Sequence, residues 1–286
     1  MGAVLGLSAA LLWGIGDLLA RFAGQAIGAW RTLFYSELIG LALLTIWLAA
    51  FSLQPSLVAF EHLPWHLWLL GLASGTVHLV GSYGLTRALT VGTISLVMPI
   101  ASSYGAVSAA LSIANGEVVS AVVLTGIVVT VIGVALAGAQ KSEGHRATHR
   151  GVGWALVAAA SYGVTFWAQG RYLVSPLGGL QAVWLFLVIG VAIMTSAALL
   201  GLGNLAPPPR AAYAATFGTG SLAVAAYVAV ALGFATGQIA IVAVLSTLSS
   251  VVTALLGFFV LKERLARVQV VGVALILVGI FVINAG

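Results

Sequence analysis

Residues 140–150 read QKSEGHRATHR, the only strongly polar linker in a chain that is otherwise strongly apolar. Of the 286 residues, 62% are hydrophobic and 6% are charged, and the mean hydropathy is +1.17. A soluble domain carries about 25% charged residues. A water-exposed globule of this length could not cover its surface with so few charges. We therefore predict an integral membrane protein, with the linker dividing it near its middle.

On each side of this linker the chain contains five apolar segments of similar length. A helix that crosses a bilayer needs about 20 mostly apolar residues. The ten segments cover residues 2–20, 32–51, 67–86, 92–114, 118–139, 151–169, 179–200, 211–233, 238–261 and 268–284. The sequence therefore predicts an all-α integral membrane fold with ten transmembrane helices, a first five-helix unit over 1–139, a polar linker over 140–150 and a second unit over 151–286.

The two units share a weak sequence repeat. Residues 9–14 read AALLWG, and residues 158–163 read AAASYG at the corresponding place in the second unit. A Glu-x8-Gly-x6-Gly signature occurs at Glu117, Gly126 and Gly133 and again at Glu263, Gly272 and Gly279. Because each unit holds an odd number of spans, the second copy must cross the membrane in the opposite direction. Unless apolar helices resemble one another here by chance, this predicts two inverted-topology repeats around a central cavity, a plan common in secondary transporters.

These features resemble the EamA family of the drug/metabolite transporter superfamily. The resemblance rests on the ten-span count, the small-aromatic-Gly motif of residues 9–14 and 158–163, and the paired Glu-x8-Gly-x6-Gly signatures. The nearest subgroup is that of the YddG-type amino-acid exporters. The resemblance implies a multi-pass protein of the cell inner (plasma) membrane that moves a small organic solute by alternating access. Export of amphipathic or aromatic amino acids is the implied activity, and export of other metabolites or drugs is the alternative.

Lys and Arg residues are distributed unevenly among the connections between spans. Ten of the 11 flank odd-numbered connections, and only Arg171 flanks an even-numbered one. Because positively charged loops stay in the cytoplasm, this distribution predicts cytoplasmic odd connections and both termini outside. The family resemblance implies the opposite orientation, so the two indications disagree.

Three ionisable side chains fall inside predicted spans, where a charge costs about 2.5 to 3.5 kcal/mol on insertion scales. Asp17 precedes Arg21 by four residues, so the pair is expected to form a structural salt bridge or, alternatively, to serve transport. Glu37 lies too deep to reach the interface and needs a partner or a wet cavity. His78 lies halfway along its span, as a proton carrier or as a hydrogen-bonded interhelical histidine. Asp17, Glu37 and His78 are therefore the candidates for coupling to a proton.

Hydroxyl-bearing side chains cluster at matching depth in the fourth and ninth spans. The first patch follows a proline that interrupts backbone hydrogen bonding, which is tolerated beside a cavity. The two patches contain Pro99, Ser102, Ser103 and Tyr104 in one unit and Ser246, Thr247, Ser249 and Ser250 in the other. We predict that they line the cavity and bind the polar ends of the solute. The alternative is that the hydroxyls only bond to their own helices or join neighbouring helices.

Several aromatic side chains lie deeper than the interfacial belt in which tryptophan and tyrosine usually occur. They are Trp13, Tyr83, Tyr162, Phe166, Trp167 and Tyr227. Trp13 and Tyr162 occupy equivalent positions of the repeat and lie next to glycines that leave room for a ligand. We predict that these rings form the apolar walls of a substrate site, and that the His78 imidazole hydrogen-bonds a polar group of the substrate there unless it carries the proton. Ordinary helix packing is the alternative.

Other classes of function are disfavoured by what the sequence lacks. There is no cysteine, no phosphate-binding G-x-x-x-x-G-K-[ST] loop and no H-E-x-x-H motif, so we expect no metal, no cofactor, no ATP hydrolysis and no enzymatic activity. The pI of about 9.9 reflects a few loop charges and implies no nucleic-acid partner. The expected partners are the lipid bilayer and a small-molecule substrate. A channel and a purely structural protein remain the alternatives to a transporter.

Overall fold

Every regular element in the described part of this computed structural model is a helix. The structure describes residues 1–51, 64–116, 120–138, 151–234, 245–246 and 248–285, and no strand occurs within those ranges. The all-α prediction is therefore confirmed for them. The polar linker 140–150 and Glu117 of the repeat signature lie outside the described residues.

Twelve α-helices and one short π-helical turn make up these ranges. The α-helices are α1 (Gly2–Ile27), α2 (Ala29–Phe51), α3 (Trp65–Val91), α4 (Ile94–Ala101), α5 (Tyr104–Ala114), α6 (Ala121–Gly138), α7 (Val152–Ala168), α8 (Val174–Leu177), α9 (Gly179–Leu199), α10 (Arg210–Phe234), α11 (Ser249–Phe259) and α12 (Arg267–Ala285). The π-helical turn, Gln169–Leu173, joins α7 to α8. Each of the ten apolar segments overlaps at least one of these helices.

Four helices of the described residues are long and apolar enough to cross a membrane. They are α1, α2, α9 and the Arg210–Gly233 part of α10. Shorter apolar helices occur at Ile94–Ser108, Ala121–Ala137, Ser249–Phe259 and Arg267–Ile283. Many large apolar side chains on these helices are exposed, as expected where the outer surface faces lipid rather than water. The chain is a multi-pass membrane protein.

The helices of the two units pack across one another rather than forming two separate bundles. Helix α1 packs on α10 and α11, and α7 packs on α3, α4 and α5. Helix α2 packs on α9 and α10, while α3 also packs on α9. The space enclosed by these helices is therefore bounded by residues of both units.

Helices α6 and α12 form a closely packed pair at the edge of this arrangement. A Cβ atom added at Gly133 would lie 2.6 Å from the Ile276 backbone nitrogen, and one at Gly272 would lie 2.8 Å from the Ala137 Cα atom. Glycine is therefore required for the backbones to approach so closely. The glycines of the repeat signature join the last span of one unit to the last span of the other.

Helices α4 and α5 are two pieces of one predicted span, separated at Ser102 and Ser103. Pro99 lies inside α4, which ends at Ala101. The amides of Ser102 and Ser103 donate hydrogen bonds to the carbonyl oxygens of Met98 and Ile100, 2.9 and 3.1 Å away. The interruption satisfies the backbone locally and leaves a helix end within the apolar interior.

Candidate functional site

A cavity of about 810 Å³ lies between the two units and contains most of the residues that the sequence predicts for the site. The predicted residues that line it come from α1, α2, α3, α5, α7, α10 and α11 and from the segments next to α4 and α11. They are Trp13, Asp17, Glu37, His78, Ser102, Tyr104, Tyr162, Phe166, Tyr227, Ser246 and Ser249. The cavity thus brings aromatic rings, hydroxyls and two carboxyl groups from both units to one place.

One wall of the cavity is a continuous aromatic cluster. The ring of Tyr162 lies 5.4 Å from that of His78 and 6.0 Å from that of Phe166, between ring centroids. Tyr104 packs on Phe166 at 4.9 Å. The Tyr162 hydroxyl donates to Ser82 Oγ at 3.1 Å, which fixes the ring against α3. Such a wall offers ring faces together with a few placed polar atoms, as small-molecule sites usually do.

A second group of aromatic side chains in the lining belongs to α1 and α10. Trp13 and Tyr227 meet edge to face with ring centroids 5.3 Å apart. Asp17 lies one turn further along α1, and its Oδ2 atom accepts a hydrogen bond of 3.0 Å from the Thr253 hydroxyl on α11. Residues four apart share a helix face, so Trp13 and Asp17 line the cavity together.

The expected salt bridge between Asp17 and Arg21 is absent, and this expectation is corrected. Arg21 Nη1 lies 3.5 Å from Glu263 Oε1 and also donates to the carbonyl oxygens of Leu89 and Gly92. Asp17 is instead bonded to Thr253. Although they are one turn apart, the two side chains have different partners, because Arg21 extends to the junction of α3 and α4. Among the described residues, no lysine or arginine therefore pairs with the Asp17 carboxyl group.

Glu37 is buried and His78 is half-buried beside the cavity, and each has a buried polar atom without a hydrogen-bond partner. Glu37 is only 6% exposed, and its Oε2 atom makes no hydrogen bond. His78 Nδ1 also makes none, and the imidazole stacks on Phe186 at 5.3 Å. The view of His78 as a hydrogen-bonded interhelical histidine is therefore not supported at Nδ1. Buried polar atoms without partners are uncommon and point to a solute, a proton or water.

The other predicted residues lie away from the cavity lining. Tyr83 packs between Trp30 and Trp154, with ring centroids 6.0 and 5.7 Å away. Trp167 packs edge to face on Tyr172 at 5.8 Å.

Three members of the polar patches also lie outside the lining. Pro99 and Ser250 are buried, and Ser103 is bonded to the Ile100 carbonyl at 2.7 Å, the local alternative considered for hydroxyl groups. Thr247 lies outside the described residues.

Several polar lining residues were not predicted from the sequence. They are Thr32, Ser36, Ser82, Thr86, Gln169, Gln181 and Thr219. Gln169 opens the π-helical turn, an element often found at functional sites. Both glutamines were assigned to span ends, where a polar residue usually needs no explanation. The only signal in the sequence that could have identified these two residues was their residue type, because glutamine is less common than serine in apolar helices.

Comparison with known proteins finds a matching protein family and solved structures with a similar fold. Residues 149–285, just under half of the chain, match the EamA-like transporter family. This match supports the resemblance to that branch of the drug/metabolite transporter superfamily. Among curated proteins, none matches the sequence.

Nineteen chains of solved structures match the fold. One crystal structure aligns with 98% of this chain and 95% of its own, with a TM-score of 0.63 and 19% sequence identity. At that identity the likeness shows the fold alone, which extends over nearly the whole chain.

Proposed function

We propose that this chain is a secondary transporter or facilitator that moves a small organic solute through the central cavity by alternating access. The observation that carries the proposal is the cavity of about 810 Å³ that both units line. Its volume lies within the range of about 300 to 1,000 Å³ typical of small-molecule sites. The family match over residues 149–285 supports transport rather than catalysis.

The packing of the helices supports the proposal of ten spans in two inverted repeats. In two equivalent repeats, α7 corresponds to α1, α3 to α10, and α5 to α11. The packing of α1 on α10 and α11 then corresponds to the packing of α7 on α3 and α5, and both are present. The packing of α2 on α10 likewise becomes that of α9 on α3. Helices α6 and α12 exchange with each other. A cavity between such repeats can open to either side as one unit rocks against the other.

The composition of the cavity supports an amphipathic solute. Rings of Trp13, Tyr104, Tyr162 and Tyr227 supply apolar faces, while Ser102 and Ser246 supply hydroxyls. By the family resemblance, the direction is outward, the membrane is the cell inner (plasma) membrane, and the solute is an amphipathic or aromatic amino acid, as in the YddG-type exporters. Other metabolites or drugs of similar size are the alternative substrates.

Counterflow in liposomes tests this function. Purified protein is reconstituted with unlabelled amino acids inside, and uptake of radiolabelled phenylalanine, tryptophan and leucine is followed with and without a pH gradient. Saturable counterflow for at least one of them is the expected result, with protein-free liposomes as the control. Failure for every amino acid would exclude the amino-acid assignment. Single-channel conductance in planar bilayers would instead favour a pore.

A further inference from the structure

The charges that line the cavity are all of one sign. Asp17 and Glu37 line it, and its described lining contains no lysine or arginine. The scarcity of charged residues in the sequence argues against a charged solute. The structure changes that conclusion, because two of the few acidic residues face the same cavity. Tyr227 lines the same cavity as both carboxyl groups.

Glu37 provides the clearest sign of a missing cationic partner. The side chain is 6% exposed, and its Oε2 atom has no hydrogen-bond partner. The neighbouring helix α9 approaches it at Gly190, where even a methyl group would overlap the carboxyl. A buried carboxyl group without a partner must hold a proton or pair with a cation, since isolated buried charge is strongly unfavourable. Because Glu37 lines the cavity, the solute can supply that cation.

Asp17 lies beside aromatic faces that suit an ammonium group. Its Oδ2 atom accepts one hydrogen bond from Thr253, and Trp13 on the same helix face packs edge to face on Tyr227. A carboxylate accepts several hydrogen bonds, so one from Thr253 leaves capacity for an N–H donor. Tryptophan and tyrosine rings attract cations through their negative faces. The corner made by Asp17, Trp13 and Tyr227 thus combines a charged acceptor with a ring surface.

We propose that the cavity binds the ammonium group of its solute through Asp17 and Glu37, with Trp13 and Tyr227 beside it, and that amphipathic amines without a free carboxylate are preferred. This inference rests on the proposed transport function and names the solute class of the same cavity. A zwitterionic amino acid would bring a carboxylate toward two acidic groups with no lysine or arginine in the described lining. Only hydroxyl and amide groups would be left to bind that carboxylate.

A matched series of phenyl compounds tests the preference directly. Binding of phenethylamine, phenylalanine methyl ester, phenylalanine and 3-phenylpropionate to the purified protein in detergent is measured by calorimetry. We expect the amine and the ester to bind at least about tenfold more tightly than phenylalanine, and 3-phenylpropionate not to bind, because its carboxylate meets two acidic groups and no lysine or arginine in the described lining. Equal affinity for all four compounds, or preference for the free amino acid, would overturn the inference.

Two isosteric variants identify the residues responsible. Asp17→Asn and Glu37→Gln each remove a charge while keeping the side-chain shape, and each is expected to weaken phenethylamine binding about 30-fold. Glu143→Gln, which removes an acid from the polar linker, is the matched control and should bind normally. Size-exclusion chromatography and thermal melting check that the variants fold. Unchanged affinity and unchanged order of ligands in both variants would also overturn the inference.

The outcome is separable from that of the proposed function. Phenylalanine counterflow with no preference for amines would overturn the ammonium site and leave the transporter assignment standing. Amine binding that depends on Asp17 and Glu37, without counterflow of any solute, would support the site and overturn the transporter.

Discussion

Glu263 stabilises the start of α4 and pairs with Arg21 at the same time. Its Oε1 atom accepts the Ile94 amide at 2.9 Å and lies 3.5 Å from Arg21 Nη1. Its Oε2 atom accepts the amide and the hydroxyl of Ser95, both at 2.9 Å. The loop before α12 is thereby bonded to the first turn of α4 and to α1. An acidic group at a helix N-terminus also complements the helix dipole.

Loss of the Glu263 carboxylate should therefore destabilise the fold. We expect Glu263→Ala to lower the free energy of unfolding by about 2 to 4 kcal/mol, because it leaves Arg21 and two α4 amides without their partner. Glu263→Gln should lose less, since its amide oxygen still accepts a bond. Thermal melting in detergent measures both. Arg264→Gln changes an exposed neighbour and is the control, and equal melting of Glu263→Ala and the control would contradict the assignment.

The close approach of α6 and α12 makes a second prediction. Gly133→Ala should destabilise the protein by about 1 to 3 kcal/mol, because the new methyl group would meet the Ile276 backbone rather than a side chain that can move. The control is Gly153→Ala on α7, where an added Cβ meets nothing within 4 Å. That change should be neutral or slightly stabilising, as alanine is the better helix former. Equal melting temperatures for the two variants would refute close packing at Gly133.

Much of the fold could be predicted from hydropathy and spacing. The apolar segments gave the positions of the helices, and the repeat signature pointed to Gly133 and Gly272, which lie in the contact between α6 and α12. The partner of each glycine face could not be predicted. The spacing of the glycines shows that a helix has a face of small residues, but it does not show which helix packs against that face. Only the structure shows that α6 and α12 pack on each other.

The sequence predicted which residues lie deep within the membrane, but not on which side of its helix each side chain lies. Trp13, Tyr162 and Ser246 line the cavity. Tyr83 instead packs on Trp154 of α7, and Ser103 bonds to the Ile100 carbonyl of its own predicted span. A span that is apolar all round has no polar stripe to show which face meets the cavity. The neighbours of Asp17 were missed for a related reason. Spacing along α1 favoured Arg21, while the actual partner lies more than 200 residues away at Thr253.

Gly190 offers a way to displace Glu37 without removing its charge. An added Cβ at Gly190 would overlap the Glu37 carboxyl, which is the end of a flexible side chain, so the helix can tolerate the change. We expect Gly190→Ala to reduce counterflow several-fold with a melting temperature close to that of the wild type. Gly105→Ala on α5, where an added Cβ meets nothing within 4 Å, is the control. Normal counterflow in Gly190→Ala would show that the position of Glu37 is not critical.

Glu37 also gives a prediction for the coupling of transport to protons. Its carboxyl group is buried at the cavity without a hydrogen-bond partner for Oε2, so it can hold a proton in one step of the cycle and a cation in another. Glutamine keeps the shape but cannot exchange a proton. We therefore expect Glu37→Gln to abolish solute accumulation driven by a pH gradient, while residual counterflow at equal pH no longer varies with pH.

His78→Gln, measured in parallel, tests the other candidate in the same cavity. Unchanged transport and unchanged pH dependence in Glu37→Gln would remove Glu37 from this role, and the same loss in His78→Gln alone would assign the proton to the histidine.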